Sequence, residues 1–198
     1  FMTNVSMSIV NMLYNWQLMR MLGTNGVAAY GVIMYVNDIF LSIYIGYSMG
    51  SAPIVGYHYG AGNRDELKNL FKKSLRIILV MSIVLTIAAE LLARPLSMIF
   101  VSYDTELLEM TTYAFAVYSI SFLVSGYNIY ASSFFTALND GFTSAMISFG
   151  RTLIFEVICV LVLPILFGPY GIWYAVIAAE IFALILSFAL LLSCLVLP

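Results

Sequence analysis

Apolar residues run through this chain in long unbroken stretches, without the spaced polar face of a soluble helix. Six stretches, at roughly 1–21, 27–57, 74–100, 107–138, 144–167 and 171–196, qualify as membrane spans, since a spanning helix needs about 20 mostly apolar residues. Short breakers punctuate them: GTNG at 23–26, GAGN at 60–63, ARP at 93–95, NDG at 139–141 and GPYG at 168–171. Barrel strands would be about 10 residues long and alternate. These runs are longer and do not alternate, so they predict helices. No linker, low-complexity stretch or internal repeat interrupts them. The expected fold is all-α, a polytopic membrane protein with residues 1–198 forming a single six-helix transmembrane bundle.

One segment breaks the pattern. GYHYGAGNRDELKNLFKKSLR, residues 56–76, carries five of the eight basic side chains. Pro53 and Gly56 are expected to loosen the helix before it, and GAG at 60–62 permits a tight turn because glycine tolerates positive φ. Asn63 is placed to cap a new helix, with Glu66 at the third helical position as in a capping box. Leu67, Leu70, Phe71, Leu75 and Ile78 then share one face, with Lys68, Lys72, Lys73 and Arg76 mostly off it. Such a pattern predicts an amphipathic start lying on the membrane surface before the helix turns inward.

Composition agrees. The chain is 63% hydrophobic and 9% charged, against roughly 45–50% apolar and 25% charged in a soluble domain. Lipid must therefore solvate most of it. No broad basic face exists for nucleic acid. Cys159 and Cys194 lie in apolar runs and read as small hydrophobes. The chain opens on Phe1, with no charged region and cleavage site of a signal peptide ahead of its first apolar run, and is expected to be a piece of a longer polypeptide.

Basic loops stay in the cytoplasm. This puts residues 60–73 inside and, with six spans alternating, both termini and loop 139–143 inside as well. Six of the eight basic residues obey the rule; Arg20 and Arg94 do not. Arg94 lies four residues after Glu90, the spacing of a helical ion pair.

Three acids fall at membrane depth. At about 1.5 Å per residue, Asp38 lies about 16 Å inward from the outer end of the second span. Glu156 lies about 18 Å from the inner end of the fifth, and Glu180 about 13 Å from the outer end of the sixth. A charged acid there costs at least about 2.5–3.5 kcal/mol, which favours a protonated side chain or a polar cavity. Asp38, Glu156 and Glu180 are therefore ion-coupling candidates; the alternative is a hydrogen bond that only holds helices together.

Two polar stripes share a 4, 3, 4 spacing that puts each on one helix face: Asn4, Ser8, Asn11 and Asn15, and Ser121, Ser125, Asn128 and Ser132. A polar stripe in lipid must face protein or water. A central hydrated cavity and simple interhelical hydrogen bonding both satisfy that demand. Tyr113, Tyr127 and Tyr130 can add aromatic faces for a lipophilic cation or serve as packing. Gly46 and Gly50 form a GxxxG pair expected to pack against a helix. His58 reads as an interfacial hydrogen-bonding residue or a proton relay, and Trp173 and Tyr174 as anchors at the outer boundary. No GxSxG, HExxH or P-loop is present, and the one histidine has no acid or nucleophile beside it in sequence, so an enzyme is not expected. Neither is a metal or organic cofactor.

PIVGYHYGAGNRDELKNLFKKSLR resembles the cytoplasmic turn after the second helix of a lobe in MATE multidrug efflux transporters. DTELLEMTTYAFAVYSI is similar to that lobe's fourth-helix start. FFTALNDGFTSAMISFGRTLIFEVICVLVLPILFGPYGIWYAVIAAE, 134–180, resembles its last two helices, through Ser148 followed by Arg151, Leu163-Pro164, and Gly168 to Gly171-Ile172-Trp173. The resemblance runs across nearly the whole chain in order. It implies the C-terminal six-helix lobe of a twelve-helix transporter, partnered by an N-terminal lobe in the bilayer of the cell membrane. It also implies alternating access and export of small amphipathic or cationic substrates in exchange for H⁺ or Na⁺. Some branches bind their cation at acids on this lobe's first and fourth helices. Both are missing here, so that site does not carry over. The alternatives are a lipid-linked-sugar or polysaccharide flippase of the same superfamily, which would display more basic residues in its cavity, and a non-transporting membrane scaffold.

Overall fold

In the computed structural model the backbone is described for residues 2–196 and the side chains for residues 5–191. The elements are α1 (Met2–Gly60), α2 (Arg64–Val101), α3 (Thr105–Ser119), α4 (Phe122–Ala137), α5 (Gly141–Phe149), a π-helical turn (Gly150–Phe155), α6 (Glu156–Phe167) and α7 (Gly171–Val196). Among the described residues four helices are long and apolar enough to cross a membrane, and α3 with α4, bent by 48° at a short break, are together long and apolar enough for a fifth. The first of the four cannot be one span, because 59 residues at about 1.5 Å each are nearly three times the hydrocarbon thickness of about 30 Å. Gly23, at φ 67° and ψ −155°, divides it in two. The four-residue break expected at 23–26 is thus a single-residue kink, since only glycine takes that backbone conformation without strain.

Several boundaries differ from expectation. The ARP segment does not end a helix. α2 runs through Pro95 to Val101, and the connection falls at Ser102–Asp104, where Asp104 caps α3 by accepting from the backbone N–H of Glu106 and Leu107. The 107–138 run is broken where Ile120 and Ser121 donate to residues three back, which tightens the turn. Glu90 serves that break. Its carboxylate accepts from the Ser119 hydroxyl at 2.7 Å, and among the described residues it makes no ion pair with Arg94.

The elbow folds largely as the sequence implies. Gly62 takes φ 69°, and the Asn63 side chain accepts from the Glu66 N–H at 3.1 Å. The capping box is half-formed, because the Glu66 carboxylate binds Asn69 instead. The basic helix start makes no turn before the span, because α2 is continuous from Arg64 to Val101. Leu67 and Phe71 pack into the bundle around Val55, Tyr130 and Phe134, with Phe71 and Phe134 ring centroids 5.0 Å apart. Burial against protein satisfies the apolar face that was assigned to lipid.

The bundle is ordered by small polar residues inside and large apolar residues outside. On α2 the buried face reads Ser74, Ile78, Ser82, Thr86, Ala89, Ala93, Ser97 and Val101, while Val80, Val84, Ile87, Leu91 and Ile99 are exposed. Lipid accepts the outward side chains without cost, and hydroxyls must find protein partners. α1 packs along α3 and α4, α2 along α3, and α7 along α6 and α4. Gly126 of α4 makes a tight contact between helices. A Cβ there would lie 2.5 Å from the Tyr44 ring. Gly46 and Gly50 face open space, so the GxxxG pair packs against no helix among the described residues. Trp173 is a core residue, not an anchor: it is buried on the main cluster. His58 Nδ1 is buried without a hydrogen-bond partner among the described residues.

Candidate functional site

The helices enclose a partly open cavity of about 350 Å³. Its walls come from both arms of α1, from α3 and α4, from the α5–α6 helix and from α7. Asp38, Glu156 and Glu180 all line it, beside Asn11, Ser125, Asn128, Ser132, Ser148, Arg151 and Thr152. The sequence placed the three acids at similar depth; the bundle turns all three toward one volume.

The acids differ in their surroundings. Glu180 is committed to protein. Its Oε1 receives the Arg151 Nη2 at 2.7 Å and Nε at 2.8 Å. Its Oε2 receives the Asn128 amide at 2.7 Å, and Asn128 also donates to the Glu180 backbone carbonyl at 3.0 Å. The Ser187 hydroxyl donates to Asn128 Oδ1 at 3.1 Å and orients that amide. Carboxylate and guanidinium thus neutralise each other, with their side chains mostly buried. Asp38 and Glu156 have no hydrogen bond or ion pair among the described residues. With the Arg151–Glu180 pair counted as neutral, the cavity retains two uncommitted carboxyls and no uncommitted cation.

Arg151, which the sequence marked only as a matching position in the family resemblance, is the neighbour that decides the state of Glu180. It is reached because the π-helical turn Gly150–Phe155 interrupts the α5–α6 helix at that residue. The extra residue of a π turn shifts the angular phase between Ser148 before it and Glu156 after it. The only other sequence signal was a single arginine within an apolar span.

The two stripes are only partly cavity-facing. From the first, Asn11 lines the cavity and accepts from the Tyr30 hydroxyl at 2.8 Å. Ser8 and Asn15 do not line it, and the side chain of Asn4 lies outside the described residues. From the second, Ser125, Asn128 and Ser132 line the cavity; Ser121 is buried at the α3–α4 break instead. Ser121 sits at the 48° bend between α3 and α4, so its spacing from Ser125 does not carry it onto the cavity-facing side of α4. Tyr113 is also outside the cavity. Its hydroxyl lies 2.8 Å from that of Tyr174, at the end of the bundle opposite the basic elbow. Among the described residues no cluster of three metal-ligating side chains exists.

The sequence model of the MatE family matches residues 1–162. The chain belongs to the MatE family. No curated protein matches it closely enough in sequence to count as a relative. Solved structures match its fold. A multidrug resistance MATE family transporter of the MOP superfamily, in an outward-facing conformation, matches with TM-score 0.88 at 19% identity, over 96% of this chain and 43% of that one. The Vibrio cholerae MATE transporter VcmN in its bent form matches with TM-score 0.86 at 19% identity, over 95% and 42%. A MOP superfamily transporter from Pyrococcus furiosus, described as having a binding pocket of reverse polarity that suggests a different function, matches with TM-score 0.86 at 18% identity, over 96% and 43%. The chain therefore spans less than half the length of the transporters it matches, and its fold is that of one transporter half. It is a multi-pass membrane protein of a transporter family, not of an enzyme family.

Proposed function

We propose that this chain is the C-terminal half of a cation-coupled efflux antiporter for organic cations and other amphipathic compounds. The N-terminal half would complete the cavity, and transport would proceed by rocking of the two halves in the cell membrane with both termini of this half cytoplasmic. One observation carries the reading: Asp38 and Glu156 face a polar cavity inside an apolar bundle with no cation committed to them. A cationic substrate and a coupling ion, H⁺ or Na⁺, would compete for those two carboxyls, which is the exclusion that antiport requires. An inward-moving charge supplies about 2.3 kcal/mol per 100 mV, enough to drive a cation outward against its gradient. A flippase for pyrophosphate-linked sugars would need free positive charge in the cavity, and the one arginine there is neutralised by Glu180.

The test is efflux of a cationic dye by proteoliposomes containing the full-length transporter, under an imposed pH or Na⁺ gradient. Asp38→Asn and Glu156→Gln are expected to abolish gradient-driven efflux. Unchanged efflux in both variants would remove these acids from the mechanism. Failure of the wild type to move any cation under either gradient would sink the reading as a whole.

A further inference from the structure

Four hydroxyls on α4 and α5 form a continuous chain that no part of the proposed transport cycle has yet used. Ser148 and Ser132 line the cavity, and their oxygens are 2.7 Å apart. Ser132 and Ser144 are 2.9 Å apart, and Ser144 and Thr136 2.7 Å apart. Ser144 is buried and Thr136 is exposed. Thr136 sits one turn before the α4–α5 connection, where Asp140 caps α5. That connection lies on the side of the bundle that holds the basic elbow. A Cβ on Gly56, near the end of α1, would be 3.6 Å from the Ala137 carbonyl. The chain of hydroxyls therefore leads from the cavity to the face where the positive charge collects.

We propose that Ser148, Ser132, Ser144 and Thr136 form a proton path between the cavity acids and the inner surface, which makes H⁺ the coupling ion. This deepens the antiporter reading and rests on it. Each hydroxyl is one donor and two acceptor sites, and in all three links either oxygen serves as donor. Two head-to-tail arrangements are therefore open. In one, Ser148 donates to Ser132, Ser132 to Ser144, Ser144 to Thr136, and Thr136 to the Ser132 backbone carbonyl, 3.0 Å away. In the other every donor reverses and Ser148 points its proton into the cavity. The first is the loaded arrangement for transfer inward, because each hydrogen already points to the next oxygen on the way to Thr136. A proton leaving Glu156 or Asp38 crosses cavity water and attaches to the Ser148 oxygen, whose own hydrogen is directed at Ser132. Each hydroxyl then passes its own proton to the next, and one proton leaves Thr136 for the inner solution. The count balances: one proton enters, one leaves, and the chain is left in the second arrangement. Rotation of the hydroxyls resets it.

Hydroxyls that only join α4 to α5 would account for the distances as well, so the test has to separate conduction from packing. Ser144 is the link to cut, because it does not line the cavity. The full-length transporter, wild type and carrying Ser144→Ala or Ser144→Thr, is reconstituted in vesicles with an internal pH dye. Two rates are read: proton flux coupled to a cationic dye under a pH gradient, and counterflow of the same dye with no ion gradient. Ser144→Ala is expected to lower the proton-driven rate at least tenfold and to leave counterflow within twofold, and Ser144→Thr, which restores a hydroxyl, to recover the driven rate. Equal loss of both rates in Ser144→Ala assigns these hydroxyls to packing and overturns the proposal, as does an unchanged driven rate. Wild-type efflux driven by Na⁺ and not by a pH gradient overturns the proton path while leaving the antiporter intact. No counterflow in the wild type defeats the transport reading itself.

Discussion

Replacing Glu180 by glutamine separates two roles that a buried acid can play. Glu180 Oε1 takes two N–H groups from Arg151, at 2.7 and 2.8 Å, and the two side chains are 6% and 19% exposed. Glutamine keeps the shape and removes the charge, leaving the guanidinium unpaired in the bundle. Breaking a buried pair from one side costs about 3–5 kcal/mol, because the remaining charge is stranded. The partial exposure of Arg151 to the cavity places the expected cost at the lower end, about 3 kcal/mol. That is roughly a 150-fold loss in the folded-to-unfolded ratio, at about 1.4 kcal/mol per factor of ten. The assay is reversible unfolding of the purified full-length transporter in mixed micelles, for Glu180→Gln, Arg151→Met and the double variant. The double variant strands no charge, so it is expected to recover most of the loss. A Glu180→Gln cost below about 0.5 kcal/mol, or additive single and double variants, would refute the claim that this acid is committed to its arginine.

Three further outcomes are expected. Gly126→Ala puts a methyl 2.5 Å from the Tyr44 ring, which is held by a hydrogen bond to the Phe122 carbonyl at 2.8 Å. An overpacking cost of about 1–3 kcal/mol should appear as a lower Tm, whereas Gly46→Ala, open on that side, should leave Tm unchanged. The Asp140 carboxyl accepts from the Thr143 hydroxyl and backbone N–H, which holds it below its ordinary 3.8. A depressed acid contributes stability that is full above about pH 3.8 and fades as pH falls through its folded value. An NMR titration should place its midpoint under 3.8, and Asp140→Ala should remove that part of the acid sensitivity. A cysteine at Lys72 should react with an impermeant thiol reagent only in opened cells; labelling of intact cells would invert the topology.

The length and apolarity of the runs decided that this chain lives in lipid, that it is helical, and about where its helices begin and end. Lipid offers no hydrogen bonds, so each span must satisfy its own backbone, and that requirement is written in consecutive residues. Local caps were legible for the same reason: Asn63 reaches only three residues ahead, to Glu66. The acids were legible as candidates because depth is a count along the helix. What only the tertiary structure decided is which of them remain free. Glu180 meets an arginine 29 positions away in sequence, on a helix whose phase is reset by a π turn. The helix bend at Ile120 removes Ser121 from a stripe that its spacing had included. The apolar face of the basic helix meets Phe134 and not the membrane. Each of these depends on how one helix is rotated and tilted against another. Side-chain packing sets those angles between distant segments, and the spacing of residues within one segment does not encode them.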